Sequence, residues 1–278
     1  MYNDSFRERY GAAPIAIAKT VGFMPTKPHI HKEIELLYIA QGHSKIKISD
    51  SLYDAQPGDL FMVNPLEVHS ILMEQSCSYS HQCICFDCSL VVDRELSQAL
   101  LDNRQSVPHH FPKDTQINTA LLPLFHQLFQ SVEAGRDTLL FEASASISLI
   151  FTELICRQLL QGHLQKTTQS DFSKKVLDFL GAHYFEQITS NTIAEQLGFT
   201  QSYFCRLFKQ NFGVPFSTYL NMYRILIAKE NIRTTAKSIA SICAQCGFND
   251  MSYFSKCFKQ SFGISPLKYR KSQYGHKN

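Results

Sequence analysis

No stretch of this 278-residue chain reaches the run of roughly 20 apolar residues that a membrane span needs. The first residues set Asp4, Arg7, Glu8 and Arg9 before a short apolar segment broken by Pro14, which does not read as a secretory leader. Nine cysteines are an odd count without a regular framework of pairs, so reduced thiols in a cytoplasm are expected, with no membrane partner. An aromatic stacking platform for single-stranded nucleic acid is also missing. What is present, 44% apolar and 18% charged residues, is ordinary for soluble globular protein, and the length allows two domains.

The formal net charge of +3 hides a division. Residues 172–278 contain 14 Lys and Arg against 5 Asp and Glu, net +9, whereas residues 1–171 contain 13 against 19, net −6. Only the C-terminal part is therefore suited to phosphates, where each neutralised phosphate releases counterions and adds salt-dependent affinity. A basic face of this kind serves duplex DNA, RNA or an anionic membrane.

A duplication decides among these. Tyr203-Phe204, Phe208-Lys209-Gln210 and Phe212-Gly213 recur fifty residues later as Tyr253-Phe254, Phe258-Lys259-Gln260 and Phe262-Gly263. Each copy follows a Gly-Phe pair, Gly198-Phe199 or Gly247-Phe248, which closes a short apolar helix. Helical spacing sends Phe204, Leu207, Phe208 and Phe212 to one face and Ser202, Cys205, Arg206 and Lys209 to the other. In the second copy Phe254, Cys257, Phe258 and Phe262 face in, and Ser252, Ser255, Lys256 and Lys259 face out. Thr192 with Glu195 reads as a capping box, Gly198 as the left-handed end of the first short helix, and Thr200 and Asn249 as N-caps of the two second helices. A helix, a glycine turn and a second helix, built twice, favour duplex DNA, with each second helix as the reader in the major groove.

Residues 172–272 resemble the AraC/XylS family of bacterial transcription regulators through Gly247-Phe248, Tyr253-Phe254, Phe258-Lys259, Gly263, Pro266 and Tyr269-Arg270. The resemblance implies a regulator rather than an enzyme, acting on promoter DNA and RNA polymerase, most often as an activator. It places Ser202, Cys205 and Arg206 in the first reader, and Met251, Ser252, Ser255 and Lys256 in the second, at positions facing base edges. Lys209 and Lys259 lie one turn further on, where phosphates are expected.

The N-terminal part reads differently. Short alternating runs such as Glu35–Ile39, Ser44–Ile48 and Leu60–Val63 indicate a small β-barrel or sandwich. Residues 118–132 and 139–160 read as amphipathic helices, the second rich enough in Leu, Ile and Phe to suggest a homodimer, and 163–171 as a linker. His29-x-His31-x3-Glu35-x6-Gly42 resembles the first cupin motif, and Gly58 with His69 eleven residues on resembles the second. Gly22 is one residue out of register, and Asn64, Leu66 and Met73 replace the Pro, Gly and Asn of the second motif. On one strand His29, His31 and Glu35 share a parity and point to one interior. With His69 they could line a pocket for a small effector, a carbohydrate for example, bind a divalent transition metal, or simply pack. A metal-dependent cupin enzyme and a ligandless regulator using the barrel only for dimerisation stay open beside the effector reading. His81, Cys83, Cys85 and Cys88 could hold zinc or accept alkyl groups, but Cys83 and Cys85 alternate with Ile84 and Phe86 as in a half-buried strand. Cys243 and Cys246 match Ala194 and Leu197 of the first copy, as small core hydrophobes would.

The expected architecture is thus α+β and multidomain. It has a cupin-like double-stranded β-helix over 1–92, a helical dimerisation region over 93–162, a linker, and an all-α domain with two helix-turn-helix motifs over 172–278.

Overall fold

The computed structural model describes residues 14–21, 26, 28–72, 79–162 and 168–274. Gly22, Met73 and the reading of the first residues lie outside them. Seven strands come first: β1 (Ile15–Val21), β2 (Ile34–Gln41), β3 (Ser44–Ile48), β4 (Ser51–Ala55), β5 (Leu60–Val63), β6 (His69–Leu72) and β7 (Ser80–Phe86). Three two-residue strands follow, β8 (Gln105–Ser106), β9 (His110–Phe111) and β10 (Gln161–Gly162). All pairs are antiparallel, in sheets ordered β1-β7-β2-β5-β9, β4-β3-β6 and β10-β8. The region expected to be only helical thus returns three short strands, and β9 completes the edge of the large sheet.

Strand β2 is buried on both faces, which is why it reads as a continuous apolar run. Leu37 and Ile39 point between the sheets to meet Ile46, Ile48, Phe61, Val63 and Ile71. Ile34 and Leu36 point the other way, with Leu60, Met62, Ile84 and Phe86, onto helices. Glu35 has the parity of Leu37 and so faces the space between the sheets.

Those helices are α1 (Arg94–Leu101), α2 (Gln116–Ala134) and α3 (Leu139–Cys156). Thr115 caps α2, and Gly135 ends it at φ 58°. The third helix stops four residues earlier than its apolar run suggests, because the chain turns through Arg157 and Gln158, the latter at φ 56°. By length and composition α3 could cross a membrane, contrary to the expectation of no such segment. In this fold it lays Ile147, Ile150, Phe151 and Leu154 against the same core as Leu121, Phe125 and Leu128 of α2.

Seven helices complete the chain: α4 (Thr168–His183), α5 (Ser190–Gln196), α6 (Gln201–Phe212), α7 (Phe216–Thr234), α8 (Ile239–Gln245), α9 (Met251–Phe262) and α10 (Pro266–Tyr274). Residues 168–171, expected in the linker, already belong to α4; residues 163–167 lie outside the described set. Two N-caps also differ from expectation. Thr189, not Thr192, caps α5, because the capping box is closed by the Thr192 hydroxyl at the third helical position, leaving Glu195 to accept from Asn191. Asp250, not Asn249, caps α9, since its carboxylate accepts from the Tyr253 amide fifty residues after the matching Thr200–Tyr203 bond. Asn249 Oδ1 instead accepts from Gln187 Nε2 at 3.1 Å.

Candidate nucleic-acid interface and sensor site

Helices α5–α6 and α8–α9 are the two helix-turn-helix units, with Gly198 at φ 75° and Gly247 at φ 82° in their turns. Phe204, Phe208 and Phe212 are buried in the first unit, and Phe254 and Phe258 in the second, with Phe262 packed partly against its core. Each buried aromatic contributes about 1.5–3 kcal/mol, so the reader helices cannot roll about their axes, and the opposite face is held outward. On that face Ser202, Cys205, Arg206 and Lys209 are exposed in α6, as are Met251, Ser252, Lys256 and Lys259 in α9; Ser255 is half-buried. The Arg206 guanidinium lies 5.5 Å from the centroid of the Tyr203 ring, a cation–π contact that restrains it on the exposed face. Cys243 and Cys246 are buried, in keeping with the core reading.

Helix α7 is shared by both units. Phe216, Tyr219 and Leu220 pack in the first core and Ile225, Ala228 and Ile232 in the second. At 19 residues it spans about 28 Å. Between the cores Arg224 is buried, donating from Nε to the Tyr184 carbonyl at 2.7 Å and from Nη2 to the Glu186 carbonyl at 2.5 Å. A side chain at Gly247 would meet Arg224 Nη2 and the Tyr184 and Phe185 carbonyls, each at 2.9 Å. Burial lowers the Arg224 pKa from its usual value. Sequence reasoning missed this clamp; a lone arginine inside an apolar stretch of α7 was its signal.

The first unit is also seated on the β-domain. Ile30 and Val68 are buried in the same core as Phe212, Phe216 and Tyr219, with Leu66 packed against it. The Tyr219 hydroxyl donates to the Leu66 carbonyl at 3.0 Å. Gly213, at φ 72°, approaches Ser49 so closely that a Cβ there would stand 2.2 Å from the Ser49 carbonyl oxygen.

Sequence neighbours of Ile30 and Val68 belong to a second group of residues. His29 and His31 flank Ile30, and Glu67 and His69 flank Val68. Backbone bonds lock the two segments together, His29 to His69 in both directions at 3.1 Å and the Leu66 amide to the His31 carbonyl at 2.8 Å. The ligating atoms of His29, His31, Glu35 and His69 all lie within 4.8 Å of one another. Glu35 Oε2 is 3.0 Å from His31 Nε2 and 3.3 Å from His69 Nε2. Burial by itself would raise the Glu35 carboxyl, but hydrogen bonds and charge from His31 and His69 outweigh it and hold the group well below the carboxylate range. His69 shows the converse: burial lowers its pKa, and the Glu35 carboxylate lifts it above the usual value. On β7, buried Cys83 and half-buried Cys85 stand beside Glu35, with Cys85 Sγ 3.7 Å from its Oε2. His81 is buried on the same strand, and burial lowers its pKa.

Comparison with known proteins agrees with this anatomy. Residues 25–150 match the family model of the AraC-like ligand binding domain, and residues 193–272 match a helix-turn-helix domain model. The chain belongs to the AraC/XylS family. It is a DNA-binding transcription regulator with an effector-binding domain. Among its relatives are the HTH-type transcriptional activators RhaS of Enterobacter sp. (strain 638), 23% identical over 95% of this chain and 94% of that protein, and of Salmonella arizonae, 24% identical with the same coverage. Two solved structures of ToxT from Vibrio cholerae share the fold. An apo form has a TM-score of 0.55 at 14% identity, covering 95% of this chain and 99% of that one. The form described as bound to unsaturated fatty acid has a TM-score of 0.54 at 14% identity, covering 95% and 96%.

Proposed function

We propose that this chain is a cytoplasmic, effector-responsive transcription activator in which the β-domain governs the seating of the first DNA reader. The observation that carries this reading is the interleaving just described. Of the residues that pack against the first helix-turn-helix unit, Ile30 lies between His29 and His31 of the sensor cluster and Val68 directly precedes His69. An effector drawing His29, His31 and His69 together on one side must shift Ile30 and Val68 on the other, and so favours one seating through its differential affinity. The names of the RhaS relatives support activation and, with it, engagement of RNA polymerase. No residue is assigned to catalysis.

The acting unit we infer is a homodimer. Phe141, Ala145, Leu149, Thr152 and Cys156 form one exposed stripe along α3, opposite its packed face, with Phe141 82% and Leu149 49% exposed. Spacing of three and four residues makes the stripe a continuous ridge, which a second copy of the helix would cover. Leu149→Arg should convert dimer to monomer in light scattering at micromolar concentration. A wild-type monomer with and without DNA refutes the dimer.

For the regulator itself, fluorescence anisotropy with DNA from upstream of the gene and its neighbours should show sequence-specific binding. The protected bases should occupy two successive major grooves on one face, about 34 Å apart. A panel of small effectors, monosaccharides included, should change that affinity and polymerase-dependent transcription. Specific binding with no response to any effector would favour a barrel used for dimerisation alone; turnover of a small substrate would favour the enzyme.

A further inference from the structure

The four donors of the sensor cluster lie within 4.8 Å of one another, and the two contacts to Glu35 are shorter than a ligand oxygen bound between hydrogen-bonding groups would allow. Groups hydrogen-bonded to one central oxygen at about 2.8 Å stand about 4.6 Å from each other in a tetrahedral arrangement. His31 Nε2 and His69 Nε2 are only 3.0 and 3.3 Å from Glu35 Oε2. Those spacings approximate the edge of a smaller tetrahedron, about 3.3 Å for nitrogen and oxygen ligands at 2.0–2.1 Å from a zinc-sized ion.

Ring protonation points the same way. His31 Nδ1 lies 2.9 Å from the Glu33 carbonyl oxygen, and His69 Nδ1 lies 2.9 Å from that of Glu67. A carbonyl only accepts, so both rings carry their proton on Nδ1, and in the neutral form Nε2 presents a lone pair. In that neutral form both lone pairs face Glu35 Oε2, so either ring can donate to the carboxylate only by taking up a second proton, whereas a cation between them needs none. His69 is 5% exposed, and its Nε2, 3.3 Å from Glu35 Oε2, makes no well-formed hydrogen bond. The ring of His29 stands 4.1 Å from that of His69 and 6.0 Å from that of His31, centroid to centroid. One divalent ion at the centre satisfies the carboxylate and the imidazoles together. Orientation of an imidazole by an Nδ1–H bond to a backbone carbonyl is the arrangement that fixes metal-binding histidines. Three nitrogens and one oxygen suit zinc, cobalt or nickel, and are unlike the all-oxygen sets of calcium and magnesium.

We propose that His29, His31, Glu35 and His69 bind one divalent transition-metal ion of the zinc–cobalt–nickel class, and that this ion is an effector acting on the seating of the first reader. The proposal rests on the reading of the β-domain as the sensor. The test uses full-length protein stripped with a chelator and titrated with Co2+, followed by visible absorption, with Zn2+ as competitor and operator affinity measured in both states. One Co2+ per chain is expected, displaced by Zn2+, with a change in operator affinity of at least about 5-fold. His69→Ala should weaken metal binding by more than about 100-fold, beyond the 10–100-fold that loss of an outer partner costs. Glu35→Gln, which keeps shape and a hydrogen-bonding side chain, should weaken it by at least about 10-fold with the far-UV dichroism unchanged. His43→Ala, at an exposed histidine outside the cluster, should leave it intact. Folded protein that takes up no stoichiometric metal overturns the proposal, as does metal uptake indifferent to both cluster variants or without effect on operator affinity. If metal fails while promoter binding and a response to another effector persist, the regulator reading stands alone. If metal binds and no DNA does, the metal site survives and the regulator reading falls.

Discussion

The two helix-turn-helix units are copies in sequence, yet only the first shares its hydrophobic core with the β-domain. Ile30 and Val68 lie in the core of α5–α6, whereas among the described residues the core around α8–α9 draws only on the C-terminal helices. On the proposed function, duplication gives two reading surfaces and one regulated seat. A signal from the sensor would then meet the first reader directly and reach the second through α7, whose two ends lie in different cores and whose middle is held by Arg224. Matching substitutions in the two copies should separate reading from seating.

The largest difference is expected at the glycines that end the readers. Gly213 and Gly263 both have positive φ, 72° and 78°, so alanine costs each about 1–2 kcal/mol of backbone strain. At Gly213 the new methyl group also strikes the Ser49 carbonyl, a backbone atom that has no rotamer to escape into. Gly213→Ala should add about 1–3 kcal/mol of overpacking and unseat the first unit. Hydrogen exchange should quicken around Ser49 and Leu66, and operator affinity should stop responding to effector. Gly263→Ala should lower stability without touching the response. Equal loss of response in both variants would break the comparison.

Tyr219 and Tyr269 are the next matched pair. Tyr219→Phe removes the hydroxyl that satisfies the Leu66 carbonyl, leaving a shielded acceptor bare at a cost of about 1–3 kcal/mol. Urea unfolding followed by a probe in each domain should show the seam weakened, with the β-domain and DNA-binding domain separating at lower denaturant. The Tyr269→Phe variant should leave the coupling between domains as in the parent. Coincident transitions for both variants would argue that Tyr219 holds only its own unit.

How much of this was legible before the structure depends on the distance over which the signal acts. The readers were legible because a period of 3.6 residues and a repeat of fifty are local properties, and Thr200 was found as a cap by the same means. Asn249 was not the cap, because a one-residue slip in pairing the copies hid Asp250. The cluster of His29, His31, Glu35 and His69 was legible as a motif spacing, but not as a parity on one strand, because the chain bends at Lys32 and Glu33 before β2 begins at Ile34. The seam was not, although its trace was noticed as a departure: Leu66 stands where the second cupin motif has glycine. The backbone there is still left-handed, at φ 63°, which costs a leucine about 1 kcal/mol. Its side chain packs against the first unit and its carbonyl accepts from Tyr219, contacts a glycine could supply only in part. Asn64, the other described departure, is buried and bonds both Val107 backbone groups, fastening the β8 segment to the sheet. Such exchanges join residues tens of positions apart, and no local pattern contains them.

Reading should divide between the copies by the chemistry of their cations. Arg206 presents a planar fork suited to guanine O6 and N7, while Lys256, its counterpart in α9, offers a point charge. Arg206→Ala should cost about 1–3 kcal/mol at one base pair and relax preference in one half of the site. Lys256→Ala should relax the other half less. Binding-site selection in which neither half changes would sink the assignment of α6 and α9 as readers.

The smallest expected effect is at Lys209 and Lys259, which sit in the last turn of their helices, one turn beyond the reading residues. On the proposed function they meet phosphates rather than base edges, so neither should carry sequence information. Replacing either by alanine should weaken binding to every sequence similarly and reduce the slope of log affinity against log salt by about one unit. The first copy adds a condition, because α6 is held against Ser49 just beyond its C-terminal end. If seating tilts the first reader, removing Lys209 should change the slope in only one effector state, whereas removing Lys259 should change it in both. Measured salt slopes for the two variants, with and without effector, distinguish a seat that moves the first reader from one that merely restrains it. Identical slopes in all four conditions would show that both readers meet phosphate alike and that the seam acts elsewhere.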